Sequence, residues 1–194
     1  MSGLQLRYVR GLCLASGLWV LGVGGLMMPG VALAQASAVR PAESMRQGDR
    51  HFGRGNYEAA IAAYTEALRM NPSSAYAYYN RASAYRRMGQ HESAVQDYSR
   101  SLQLNPQQPF AYLYRGESLQ AMGQHRAAIG DYSALLQLKE NDPLAYERRG
   151  DAFAALGNKE AAIADYQKAA EFFRAQRKGK DETKVMERLK SLQP

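Results

Sequence analysis

The sequence predicts an all-α protein, a solenoid of four helical hairpins followed by a C-terminal capping helix. Three observations carry this reading. From Pro41 the chain repeats every 34 residues, so that Gly55, Gly89, Gly123 and Gly157 share one register. Ala60, Ala94, Ala128 and Ala162 share a second, and Tyr64, Tyr98, Tyr132 and Tyr166 a third. A looser column, Gly48, Ala82, Gly116 and Gly150, always holds a tiny residue. Within each period the apolar residues recur at spacings of three and four, the helical period. A fixed repeat of this length marks stacked supersecondary units, whose product is a binding surface rather than a catalytic pocket.

Residues 1–34 have the layout of a secretory signal peptide. Arg7 and Arg10 form a basic start, Gly11 to Met28 carries no charge, and Pro29-Gly30 breaks the run. Ala32 and Ala34 then supply small residues at the two positions that define cleavage, placing the cut between Ala34 and Gln35. The competing reading is an inner-membrane anchor retained over residues 11–28. Those 18 residues, five of them Gly, compare with about 20 needed to span a bilayer. No small-residue box precedes Cys13, which argues against lipid attachment there. Cleavage would remove the sole cysteine and leave 23 basic against 18 acidic residues. A cysteine-free chain suits an oxidising compartment, and the periplasm is the expected location. Residues 35–40 read as a short linker.

The repeats follow as residues 41–74, 75–108, 109–142 and 143–176. In the second, Tyr78, Ala82, Tyr85 and Met88 form one helical stripe, which Gly89 ends by tolerating a left-handed cap. Ala94, Val95, Tyr98, Ser101, Leu102 and Leu104 form the next, ended by Asn105-Pro106. The tiny residue of the first helix and the Ala of the second allow two backbones to approach, with the Tyr beside them. Residues 177–194 read as a basic loop and a last helix with Asp181 as its N-cap. Val185, Met186, Leu189 and Leu192 give that helix an apolar side that shields the end of the solenoid.

This pattern resembles the tetratricopeptide repeat family over about 136 of 194 residues. Numbering each repeat from Pro41, Ala75, Pro109 and Pro143, the aromatic wanted at position four is Tyr78, Tyr112 and Tyr146, with Ser44 departing. Positions eight, twenty and twenty-four are filled in all four repeats. At position twenty-seven stand Ala67, Ser101 and Ala169, with Leu135 the exception. Pro72 and Pro106 close two repeats, where Glu140 and Arg174 replace the Pro of the others. The resemblance implies a concave groove lined by the first helix of each repeat. Its candidate partner-binding residues are Tyr76, Tyr79, Asn80, Arg86, Phe110, Leu113, Tyr114 and Arg148. Met45, Asp49, Phe52, Arg87, Glu117 and Asp151 occupy further groove positions. The carboxylate-clamp set of the cochaperone members, Lys, Asn, Asn, Lys and Arg, falls here on Met45, Asp49, Asn80, Phe110 and Tyr114, and only Asn80 fits.

Two charged columns appear together. Arg81, Arg115 and Arg149 stand at position seven, and Asp97, Asp131 and Asp165 at position twenty-three of the same repeats. Both positions are equidistant from the turn at fifteen, so antiparallel helices bring them abreast within a repeat. Catalysis finds no nucleophile, base and orienting group. His91 and His125 begin second helices and have no Cys or carboxylate at ligand spacing, so no metal or cofactor is expected. The expected function is therefore non-enzymatic: an envelope adaptor binding a protein or peptide segment in its groove. Self-association through the same surface, or binding of an anionic polymer or membrane surface through the Arg174–Lys180 run, are the alternatives. Nucleic acid is disfavoured by export.

Overall fold

A computed structural model describes residues 29–192, with side chains from residue 40 onward. Among the described residues the secondary structure is helical throughout. The first helices are α1 (Pro29–Gly53), α3 (Ala75–Arg87), α5 (Pro109–Ala121) and α7 (Pro143–Ala155). Their partners are α2 (Tyr57–Met70), α4 (His91–Leu104), α6 (His125–Leu138) and α8 (Lys159–Ala175), with α9 (Gly179–Leu192) last. Each helix packs on the next in sequence, and each first helix also touches the first helix of the following repeat.

The hairpin turn is the same in every repeat. Gly55, Gly89, Gly123 and Gly157 have φ between 73° and 78°, a region where a Cβ is penalised. The residue after each glycine donates to the carbonyl five residues back, as Gln90 does to Tyr85 at 2.9 Å, while Gly89 donates to Arg86 at 3.0 Å. That bond pair closes a helix C-terminus as a Schellman motif. At the other end, Ser74, Asp142 and Asn158 accept from the backbone N–H three residues on, satisfying a donor the helix leaves open.

The tiny-residue column is a docking site for the Tyr column. A Cβ placed on Gly48, Gly116 or Gly150 would lie 2.3, 2.6 or 2.8 Å from the ring of Tyr64, Tyr132 or Tyr166. Repeat two carries Ala82 instead, fully buried beside a fully buried Tyr98. The Tyr hydroxyls are also engaged: Tyr64 donates to Asp49 and Tyr166 to Asp151, both at 2.9 Å, while Tyr98 pairs with Ser83. Tyr132 turns instead to Gln120 at 2.9 Å.

The Arg and Asp columns pair within repeats, and more tightly than their spacing alone implied. Arg81, Arg115 and Arg149 each give Nε and Nη2 to both oxygens of Asp97, Asp131 and Asp165, at 2.6–2.9 Å. The remaining Nη1 donates backward to Thr65, Ser99 or Ser133 of the preceding repeat at 3.0–3.1 Å. Each guanidinium also lies 5.5–5.8 Å from the ring at position four. One arginine thus closes its own hairpin and ties it to the hairpin before. Burial pushes the Asp131 carboxyl up, against the pull of Arg115.

Two expectations need correction. Residues 35–40, read as a linker, are helical, because α1 begins at Pro29 and continues through Pro41. The stretch QASAVR holds no Gly or Pro to stop a helix, and α1 carries Pro41 in its interior, where the ring removes one backbone donor and crowds the carbonyl four residues back. The last helix begins at Gly179 rather than after Asp181, whose N–H donates to the Lys178 carbonyl. Leu135, the exception at position twenty-seven, is buried in the core with Leu113, Leu119 and Leu136. The signal segment before residue 29 and the anchor reading of residues 11–28 lie outside the described residues. No helix among the described residues is long and apolar enough to cross a membrane.

Candidate functional site

The first helices line the groove, and its two halves have different chemistry. Toward the N-terminus, α1, α3 and α5 enclose an open cleft of about 510 Å³, walled by Phe52, Tyr76, Tyr79, Arg86, Arg87 and Tyr114. Its rings form a connected series. Tyr79 sits 6.4 Å from Tyr114, which stacks on Phe110 at 6.2 Å, and Tyr79 also meets the buried Tyr98 edge-on at 5.8 Å. The Arg86 guanidinium lies over the Tyr114 ring at 4.3 Å, within cation–π range. Tyr76 and Phe110 remain 59% and 53% exposed, a cost that packing within the solenoid does not require. Burial pushes the Tyr79 hydroxyl up to about 12.

Toward the C-terminus an ionic chain occupies the floor. Glu117 accepts from Arg86 at 3.1 Å and from Arg148 at 3.2 Å, joining α3, α5 and α7. Arg148 in turn lies 3.6 Å from Asp151. Arg188 of α9 then reaches back to α7, pairing with Asp151 and lying 3.1 Å from Glu147. Glu147 is only 3% exposed, and Lys184 stands 3.5 Å away. A buried carboxylate of this kind persists only with cationic company, which α9 supplies. Beside this chain lies a second cleft of about 710 Å³, with Phe110, Leu144, Phe173 and Lys184 among its walls.

Of the eight residues expected to bind a partner, Tyr76, Tyr79, Asn80, Arg86 and Tyr114 meet around the N-terminal cleft. Phe110 continues its line of rings. Leu113 is 4% exposed and a member of the core around Tyr132 and Leu135, because position five of α5 turns toward α6 and α7, while it also lines the second cleft. Arg148 is in the groove, but Glu117 and Asp151 hold its charge. Asn80 likewise donates to Asp49 at 3.0 Å. The Thr65, Ser99 and Ser133 column, which accepts from the arginines, repeats at 34 residues and was legible in the sequence. The role of Arg188 had no periodic signal, because α9 stands outside the repeat. Among the described residues no three of His, Cys, Asp or Glu gather as a metal site would require.

Comparison with known proteins places this architecture. The tetratricopeptide repeat family model matches residues 45–109 and 113–178. A human relative, small glutamine-rich tetratricopeptide repeat-containing protein beta, is 40% identical over 43 residues. That stretch is 22% of this chain and only 14% of the relative. Among solved structures, the crystal structure of MamA aligns with a TM-score of 0.70 at 24% identity, over 76% of this chain and 86% of that one. This likeness concerns the fold. The first repeat domain of RPAP3, bound to the HSP90 peptide SRMEEVD, aligns with a TM-score of 0.59 at 29% identity, over 61% of this chain and 94% of that one. The fold is a non-catalytic module, and proteins built on it serve as protein–protein interaction scaffolds. Matched by the family model over most of its length, this chain belongs to the tetratricopeptide repeat family.

Proposed function

We propose that this protein is an exported adaptor that holds a segment of another protein in its concave groove, at the N-terminal cleft. The observation carrying the reading is the exposure of Tyr76 and Phe110 in line with Tyr79 and Tyr114. Large rings left in water at groove positions are the residue types that dominate binding energy at interfaces. The peptide-bound RPAP3 domain, which shares the fold, supports a peptide as the ligand class. Export to the periplasm rests on the layout of residues 1–34, and cutting after Ala34 would leave α1 to start at Gln35.

Two measurements test this. A photo-crosslinking residue at Tyr76 is expected to capture a partner from the native envelope, and the same residue at Gln96, exposed on α4, is not. Capture from Gln96 alone would overturn the groove reading. Intact mass of the exported protein is expected to begin at Gln35; a membrane-bound form retaining residues 1–34 would establish the anchor instead.

A further inference from the structure

We propose that the N-terminal cleft takes an acidic segment of a partner protein, with an Asp or Glu side chain received by Arg86 and Arg87 of α3. This inference rests on the adaptor reading of the groove and names its ligand class.

The arginines of the solenoid differ in how far their donors are used. Arg81, Arg115 and Arg149 engage Nε and both Nη nitrogens, and each grips both oxygens of one carboxylate. Arg86 makes a single hydrogen bond, from Nη1 to Glu117 at 3.1 Å, and its Nε is buried without a partner. Glu117 gives its other oxygen to Arg148. Arg87, next in sequence, is exposed and donates from Nε to the Tyr57 hydroxyl. Among the described residues it pairs with no carboxylate. A guanidinium is shaped to hold a carboxylate through two parallel bonds, and neither arginine has that partner within the chain.

Both arginines line the cleft beside Tyr76, Tyr79 and Tyr114. Arg86 is fixed there from two sides, by the Tyr114 ring at 4.3 Å and by Glu117. A donor already held in place loses little side-chain entropy when a ligand arrives. Neither arginine stands at a carboxylate-clamp position, where this chain has Met45, Asp49, Asn80, Phe110 and Tyr114.

The charge balance points the same way. Asp49 is the single acid among the walls of this cleft, against two arginines. Its Oδ1 already accepts from Tyr64 and Asn80. Around the cleft, carboxylates are shared: Glu43 serves Arg46 and Arg50, and Glu117 serves Arg86 and Arg148. The second cleft has no such excess, because its walls carry acidic and basic residues in equal number. An acid of the partner meets its complement in the first cleft, and an apolar neighbour in the same segment can lie on the exposed Tyr76 ring.

The test is selection of a random peptide library, displayed on phage, against the immobilised protein produced from its full-length sequence. Enriched peptides are expected to carry Asp or Glu close to an apolar residue, and a synthetic copy of one is expected to compete with crosslinking at Tyr76. Replacing its acid by the neutral amide should weaken binding about tenfold, and so should Arg86→Gln. Arg87→Gln, at an exposed side chain, should weaken it about threefold. An unchanged thermal melt of each variant verifies that the fold is retained. Enrichment of basic or uncharged peptides, no enrichment, or equal binding by the amide form would each overturn the inference, as would full affinity in both arginine variants. Any of these outcomes, with Tyr76 still crosslinking a native partner, removes the acidic ligand and leaves the adaptor reading standing. Failure of Tyr76 to crosslink a native partner removes the adaptor reading itself.

Discussion

The two halves of the groove put the first helices of the repeats to opposite ends. In the N-terminal half, position two carries the open ring of Tyr76, and position six carries Tyr114 one repeat later, stacked with Phe110. In the C-terminal half, positions five, six and nine carry Glu147, Arg148 and Asp151, which pair among themselves and with Arg188 of α9. One half keeps its polarizable, desolvatable surface available. The other satisfies its charges internally and is covered at its end by the last helix. Glu117 is the hinge between them, accepting one arginine from each side. A periodic scaffold therefore does not imply a uniform binding surface: where charges find partners within the chain, the groove is structural, and where rings are left open, it is available.

The comparison predicts that substitutions in the two halves separate into stability effects and binding effects. The largest effect is expected from Glu147→Ala, which leaves Lys184 without its carboxylate on α7 and Arg188 with Asp151 alone. For a buried carboxylate with partly exposed partners, this should cost about 2–3 kcal/mol, read as a lower melting temperature with faster amide exchange in α9. Partner capture at Tyr76 should persist. An unchanged melt would show that α9 is held without Glu147, by Val185, Leu189 and the Arg188–Asp151 pair. Next, Tyr79→Ala should weaken partner affinity by about 2 kcal/mol with a smaller change in stability, measured by titration alongside thermal unfolding. Equal losses in both would erase the distinction between the halves.

The Arg–Asp clamps are common to both halves and serve as the control. A double-mutant cycle on Arg115 and Asp131 should give a coupling of about 1 kcal/mol, discounted for the partial exposure of the arginine. A Ser99→Ala cycle with Arg115 should give a smaller coupling of the same sign, because Nη1 is the one donor that reaches back. No coupling between Arg115 and Asp131 would mean that the pair is a bystander to packing. Smallest of all should be charge reversal at Arg177 and Lys178 in the α8–α9 loop, with partner affinity changed by only a few tenths of a kcal/mol. If these substitutions abolished capture, and capture also fell steeply with salt, electrostatic tethering would replace groove binding.

The fold was largely legible because its determinants are local and recur. Each turn glycine at positive φ, each cap and each Tyr over a tiny residue is repeated 34 residues later, so the period exposes it. Within-repeat pairing of Arg and Asp followed from equal distance to the turn. The site was legible in part. Groove positions led to Tyr76, Tyr79 and Tyr114 around the N-terminal cleft, while Leu113, reached by the same rule, lines the second cleft from within the core. Residues 35–40 fall between the signal layout and the first repeat and so read as a linker, while the stretch itself has nothing that stops a helix.

The sequence by itself determined the hairpin unit, its turns, its close-contact column and the arginine clamp, since each lies within one repeat or at a fixed offset. Only the tertiary structure decided which groove charges are available. Glu117 joins Arg86 and Arg148 across 31 residues in each direction, and Arg188 meets Asp151 across 37. Those pairings depend on the angle at which neighbouring first helices cross and on where α9 lies. Neither is written in a 34-residue period, because stacking geometry arises from the packing of whole faces rather than from the spacing of residues along the chain.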